Sequence, residues 1–129
     1  MGRPAPRERR SGGTRVHGRD DVRRLTAADL GSELGERATL VQFSSAFCAP
    51  CRATRRTLAE VARMVPGVAH VEIDAEDRLG LVRELDVLKT PTVLVLGPDG
   101  EVVRRAQGQP RRVDVIAALG DAVGGDRDG

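Results

Sequence analysis

Short apolar runs alternate along the chain with segments whose apolar residues recur every three or four positions. The runs "TLVQFSS" (39–45), "VAHVEID" (68–74) and "TPTVLVL" (90–96) are compact and β-prone, which is typical of buried strands. The turn sequence "GPDG" (97–100) joins the third run to "EVVRRAQG" (101–108), whose pattern predicts an antiparallel returning strand. The apolar pattern therefore predicts four strands.

Four other segments have the spacing of amphipathic helices. They are residues 25–34, in which Thr26 is placed to act as the N-cap, 52–65, 78–85 and 111–123. In the last segment the apolar residues predicted to lie on one face are Val113, Ile116, Ala117 and Val123. From residue 39 the order is strand, helix, strand, helix, strand, strand, helix. This order predicts an α/β fold in which helices cover a mixed sheet.

The 129 residues are enough for one domain. Residues 1–24 are rich in Gly, Pro and Arg, with eight Arg against three acidic residues, and they hold few large apolar side chains. This composition predicts a disordered tail. A basic arm for nucleic acid is the functional alternative, but no aromatic side chain lies among the arginines, so no nucleic-acid partner is expected. The folded domain is predicted at 25–123 and a flexible C-terminus at 124–129.

The cellular location and the oligomeric state are predicted from three features that the sequence does not show: a membrane span, an export signal and an exposed apolar stripe. No apolar run approaches the ~18 residues that a membrane span needs, and no apolar stretch follows the arginine pairs as an export signal requires. We therefore expect a cytoplasmic protein without a membrane segment. The alternative is an extracytoplasmic protein with an upstream anchor that this chain does not include. No apolar stripe calls for an oligomer, so a monomer is expected.

The only two cysteines lie in "FCAPC" (47–51), between a predicted strand and a predicted helix. A thiol at a helix start meets unpaired backbone N–H groups and the positive end of the helix dipole, and both favour the thiolate. Cys48 is therefore the predicted nucleophile. Pro50 suits the first helical turn, and three-residue spacing places Cys51 on the same side as Cys48. Cys51 could then attack a mixed disulfide formed by Cys48.

Three other interpretations of the cysteine pair are open. A structural zinc site needs four ligands, and only His17 and His70 could join the two cysteines. A purely structural disulfide would restrain the unfolded chain very little, because the loop it closes is so short. Two unreactive core thiols remain conceivable. The position at a strand-to-helix junction and the flanking Pro50 favour redox chemistry.

Several motifs together resemble the thioredoxin family over about residues 25–123. They are "FSSAFCAPC" after a strand, "VEID" in the next strand, "KTPTVLVL", the "GPDG" hairpin and Gly108 before the last helix. The resemblance implies a thioredoxin-like fold, with a central mixed sheet of four or five strands flanked by helices. It also implies dithiol–disulfide exchange without a bound cofactor, in which Cys48 is the nucleophile and Cys51 the resolving thiol.

The resemblance further implies a substrate-binding surface. Thr90-Pro91 matches the cis-proline position of the family, where the backbone pairs with an extended substrate strand. The residues assigned to this surface by resemblance are Phe47, Ala49, Pro50, Thr90, Pro91 and Gly108. Gly108 is expected to allow close backbone approach beside the redox site.

Departures from the family pattern concern the surroundings of the cysteines. Phe47 stands in place of the usual tryptophan and Ala49 in place of the usual glycine, which leaves the redox potential open. Gln42 stands where thioredoxins bury a carboxylate beneath the second cysteine. Because an amide cannot accept a proton from Cys51 as a carboxylate could, we expect slower resolution of mixed disulfides. His70 is expected to be packed or hydrogen-bonded rather than catalytic.

Two functional hypotheses follow. The first is a thiol–disulfide oxidoreductase, specifically a protein-disulfide reductase, whose partners are disulfide-containing proteins and a recycling reductase or other thiol donor. The alternative is a catalytically weak thioredoxin-like module that binds a partner through an apolar patch at Phe47, Ala49, Pro91 and Gly108.

Overall fold

The computed structural model describes residues 23–128. Its elements in chain order are α1 (Ala27–Leu30), β1 (Ala38–Ser44), α2 (Ala49–Met64), β2 (Val68–Asp74), a 3₁₀ turn (Ala75–Asp77), α3 (Leu79–Glu84), β3 (Thr92–Leu96), β4 (Val102–Gln107) and α4 (Arg112–Asp128). The predicted order of strands and helices is confirmed.

Two helices differ most in length from the prediction. Thr26 caps α1 as expected, with its side chain accepting from the backbone N–H of Asp29 at 3.1 Å. The helix nevertheless ends at Leu30, because Gly31 adopts the left-handed conformation with φ of 72°. At the other end of the chain, α4 continues to Asp128, past the predicted end at residue 123.

The predicted tail lies outside the described residues except for Arg23 and Arg24. Arg24 forms an isolated antiparallel bridge with Glu101, and its guanidinium pairs with Asp99. The carbonyl of Arg23 accepts a hydrogen bond from the backbone N–H of Val102 at 2.9 Å. These two residues therefore lie along the start of β4.

The four strands form one mixed sheet in the order β2-β1-β3-β4. The pair β1/β2 is parallel, whereas β1/β3 and β3/β4 are antiparallel. Helices flank this sheet, so the predicted α/β class and thioredoxin-like fold are confirmed. Because β1 and β2 are parallel, their carboxyl ends lie at the same edge, and α2 begins just beyond it.

Each face of the sheet has its own apolar core, because successive strand residues point to opposite faces. In β1, Leu40 belongs to the core beneath α2 and α4, whereas Val41 and Phe43 belong to the core beneath α1 and α3. All three side chains are fully buried. The core beneath α2 and α4 carries the helix that begins with the cysteines.

The predicted buried face of α4 is wrong. Val113 and Ile116 are 61% and 42% exposed, and Ala117 is also exposed. The residues that pack against the sheet are instead Val115, Leu119 and Ala122. Apolar residues occur on most sides of this helix, so several faces satisfy helical spacing. Contact with the sheet, rather than spacing, selects the buried one.

Thr54 provides a test of packing beneath α2. Its side chain is fully buried, and its hydroxyl has no hydrogen-bond partner among the described residues. We expect Thr54→Val to raise the free energy of unfolding by about 1 kcal/mol, since the change removes a buried, unpaired hydroxyl while keeping the shape. Urea unfolding of both proteins measures the difference. The control is Thr57→Val at a partly exposed position of the same helix. Equal effects at the two positions would contradict this account.

Candidate redox site

The two cysteines are joined in a disulfide at the start of α2. Cys48 is the N-cap, with extended backbone, and its Cα lies 5.2 Å from that of Cys51. The backbone N–H of Cys51 donates to Cys48 Sγ at 3.2 Å. Pro50 occupies the first turn, where its missing N–H has no intrahelical partner to lose. The N-terminal end of α2 therefore favours negative charge on Cys48 Sγ after reduction.

The two sulfurs differ in accessibility. Cys51 is buried, with 1% of its surface exposed, whereas Cys48 is half-buried. Ala49 and Pro50, between them, are exposed. A reagent approaching from solvent therefore meets Cys48 first.

Phe47 precedes the pair in an unusual conformation. Its φ is 58°, in the left-handed region that few residues other than glycine adopt, and its side chain is fully exposed. The ring therefore does not cover the disulfide. It presents an apolar surface to solvent beside Cys48.

The loop that leads into β3 contributes Thr90 and Pro91 at the same edge of the sheet, because the start of β3 pairs with the end of β1. The bond between them is cis, and Pro91 is buried. Ser45 Oγ lies 2.7 Å from Thr90 Oγ1, so a hydrogen bond ties the loop before the cysteines to the proline loop. Sequence reasoning missed Ser45. Its only signal was the serine pair that ends the first apolar run.

Gly108 lies beside this loop, but the predicted reason for a glycine is corrected. Its backbone N–H donates to the Pro91 carbonyl at 2.8 Å. A Cβ at this position would meet nothing within 4 Å, so no close approach requires the glycine. Its φ of 87° does require one, because this conformation is strained for other residues.

The structure places Gln42, which is fully buried, beneath Cys51. Its Nε2 donates to the Cys51 carbonyl at 2.8 Å and to Ser44 Oγ at 2.9 Å. Its Oε1 lies 3.3 Å from His70 Nε2. Both amide hydrogens are thus used, and the amide contacts the backbone of Cys51. His70 is hydrogen-bonded, and burial lowers its pKa.

From Ser44 the contacts continue to the surface. Ser44 Oγ donates to Glu72 Oε2 at 2.8 Å, and Arg55 grips both oxygens of Glu72 at 2.7 Å. The hydrogen bond from Arg55, supported by that from Ser44, holds the pKa of Glu72 below its usual value. We name the series Cys51 carbonyl, Gln42, Ser44, Glu72 and Arg55 the polar chain. Sequence reasoning did not find it, and its signal was the alternation of polar residues at the ends of β1 and β2.

Among the described residues, the side chains outside the polar chain give no indication of a metal site. Asp74 is exposed and caps the 3₁₀ turn through the backbone N–H of Glu76. His17 lies outside the described residues. Within residues 23–128 no three His, Cys, Asp or Glu side chains are grouped as metal ligands would be. In the same part of the chain, none of the helices has the length and apolar character to cross a bilayer.

Comparison with known proteins gives consistent matches. Residues 21–121 match the family model described as Thioredoxin. Thioredoxin H4-1 of Oryza sativa subsp. japonica is 31% identical over 85 residues, which cover 64% of each protein. A thioredoxin of Staphylococcus aureus is 29% identical over 90 residues, covering 68% of this chain and 86% of the relative. The chain thus spans less than two thirds of the rice relative.

Solved structures show the same fold. A mutant thioredoxin of Halobacterium salinarum superposes with a TM-score of 0.62 at 17% identity, covering 68% of this chain and 76% of that one. Mitochondrial thioredoxin 3 of Saccharomyces cerevisiae gives a TM-score of 0.58 at 21% identity, with 67% and 79% covered. At these identities the likeness concerns the fold.

The lowered pKa of Glu72 predicts a pH-dependent contribution to stability. Because the folded state holds the carboxylate in its charged form, the contribution is present above the ordinary glutamate pKa of ~4.3 and is lost as the pH falls through the lowered value. We expect Glu72→Gln to lower the free energy of unfolding at pH 7 by less than about 1 kcal/mol, since Arg55 is half exposed.

Urea unfolding between pH 7 and pH 3 measures this effect. The difference between wild type and Glu72→Gln should shrink toward the acid end, and Arg55→Gln should show the same trend. A difference that stays constant over the whole range would contradict the proposed role of the ion pair.

Proposed function

Because the chain belongs to the thioredoxin family, we propose that it is a thiol–disulfide oxidoreductase that reduces disulfides of other proteins through Cys48 and Cys51. The observation that carries the proposal is the arrangement of the pair. One sulfur is accessible at the N-terminal end of α2, and its partner is buried within disulfide-bonding distance. The proposed setting is the cytoplasm, with a recycling reductase or another thiol donor restoring the dithiol.

The proposed reaction has two exchange steps. The Cys48 thiolate attacks one sulfur of a substrate disulfide, which forms a mixed disulfide and releases the other substrate sulfur as a thiolate. Cys51 then loses its proton and attacks Cys48 Sγ, which expels the second substrate sulfur. The substrate gains two electrons, and the protein is left with the Cys48–Cys51 disulfide. No step in this proposal uses a bound cofactor.

The surface around Cys48 supports docking of an extended substrate segment. Phe47, Ala49 and Pro50 are exposed on one side of the sulfur. On the other side, the loop at Thr90 and Pro91 is held by Ser45 and by the Gly108 N–H. We propose that the substrate backbone pairs along this loop in strand-like fashion. The fixed loop reduces the entropy that binding must overcome.

Single cysteine variants test the proposal. The wild type should catalyse the reduction of insulin disulfides by dithiothreitol, followed by turbidity. Cys48→Ser should abolish turnover, because it removes the nucleophile, and Cys51→Ser should trap a mixed disulfide at Cys48. The redox potential against glutathione should lie near ~−270 mV for a reductant rather than near ~−120 mV for an oxidant.

The double variant Cys48→Ser/Cys51→Ser distinguishes the alternative. A binding module would retain its partner without thiols, whereas the oxidoreductase would lose all turnover. A wild-type protein without catalysis in either direction would rule out the enzymatic proposal.

We also propose that resolution is slow because Gln42 offers no base to Cys51. A carboxyl in this buried position would be a weaker acid than usual and could therefore accept the thiol proton. Gln42→Glu and Gln42→Met both lack the two amide hydrogens, and only the glutamate supplies a base. We expect Gln42→Glu to clear mixed disulfides faster than Gln42→Met, by up to about 10²-fold. Rapid-quench analysis of the Cys48 adduct measures both rates. Equal rates in the two variants would count against the idea.

A further inference from the structure

We propose that Ser44 and Glu72 are positioning residues for the resolving cysteine. They hold the Gln42 amide in the orientation in which Nε2 donates to the Cys51 carbonyl. This hydrogen bond fixes the first turn of α2 on the sheet. The inference rests on the proposed function, because it assigns these residues to the second exchange step. It concerns two residues to which the sequence motifs assign no role.

The sheet brings the members of the polar chain together. Gln42 pairs with Glu72 in the parallel register of β1 and β2, and Ser44 lies two residues after Gln42 on the same face. The other side chains of this face beneath α2 include apolar ones such as Leu40 and Val93. The polar chain is therefore a local exception at the carboxyl end of the two strands.

Hydrogen-bond chemistry gives the polar chain a direction. A glutamate held as a carboxylate only accepts, so Ser44 must use its single hydroxyl hydrogen on Glu72. Ser44 Oγ can then only accept from Gln42, which must present Nε2 rather than Oε1. In a flipped amide, Oε1 would face two acceptors, Ser44 Oγ and the Cys51 carbonyl. Glu72 thus sets the orientation of Gln42 through Ser44.

Both ends of the polar chain are attached to α2. The Cys51 carbonyl accepts a hydrogen bond from Gln42 Nε2. One helical turn later, Arg55 donates two parallel hydrogen bonds to Glu72. The start of the helix is consequently held to the sheet at two points, one in each of its first two turns. Attack by Cys51 on Cys48 Sγ requires accurate placement of the thiol, so loosening the first turn should slow resolution. Attack by Cys48 on an external disulfide does not depend on that placement.

A stopped-flow experiment with the reduced protein and dithiobis(nitrobenzoate) separates the two steps. Attack by Cys48 releases the first thionitrobenzoate in a phase whose rate depends on reagent concentration. Resolution by Cys51 releases the second in a phase that does not. We expect Ser44→Ala to slow the second phase about tenfold while leaving the first unchanged. Glu72→Gln should slow the second phase as well, because a glutamine can donate to Ser44 and reverse the polar chain.

Two further variants serve as controls. Ser44→Thr keeps the hydroxyl beside an open groove lined by Ser45, Arg55 and Asp74, and it should restore the second phase. Glu60→Gln removes a carboxylate of α2 whose ion-pair partner is Arg112 of α4 rather than a member of the polar chain. Glu60→Gln should leave both phases unchanged. A purely structural role would change stability in Ser44→Ala without separating the two phases.

The outcomes are distinguishable. A second phase in Ser44→Ala as fast as in wild type, or equal slowing of both phases, would overturn the positioning role. If Ser44→Ala does not fold, Glu72→Gln provides the test, because it changes only a surface carboxylate. A second phase as fast as in wild type would then overturn the positioning role. If the wild type itself shows no second phase, the proposed oxidoreductase function fails rather than the positioning inference.

Discussion

The parallel pairing of β1 with β2 is the constraint on which the redox site depends. It brings two strand ends to the same edge of the sheet, and the chain leaving β1 must turn back at once to cover the apolar face. α2 begins only five residues after Ser44, so Cys48 becomes its N-cap. The acidic character proposed for this thiol is therefore a consequence of how the sheet is covered.

The same edge carries polar groups into an otherwise apolar interface. Burying an amide costs free energy unless its hydrogen bonds are made, and Gln42 makes them with Cys51, Ser44 and His70. Thr54 lies on the buried face of α2, as Cys51 does, but its hydroxyl has no hydrogen-bond partner among the described residues. The fold therefore tolerates one buried polar atom without a partner, in Thr54. The hydrogen bonds of Gln42 are part of a connected series instead.

The two cysteines differ because their surroundings differ. Cys48 stands at the exposed end of the helix beside Phe47, while Cys51 is held inward by the contacts of its own carbonyl. Ser45 connects this turn to the loop at Thr90 and Pro91. The proposed nucleophile, the proposed resolving thiol and the loop at Thr90 and Pro91 are thus held by separate contacts, and the proposed exchange steps can respond separately to substitution.

Local patterns in the sequence were enough to predict the strands, the order of elements and the redox motif, because runs, turns and spacing act between near neighbours. They could not predict the buried face of α4, where several faces have helical spacing, or the reason for Gly108, which is its φ. The polar chain and the Ser45–Thr90 contact join residues 28 and 45 positions apart. Such contacts depend on strand register and helix placement, which only the packing of distant segments decides. Sequence alone thus determined the reactive pair, and tertiary structure determined which residues hold it.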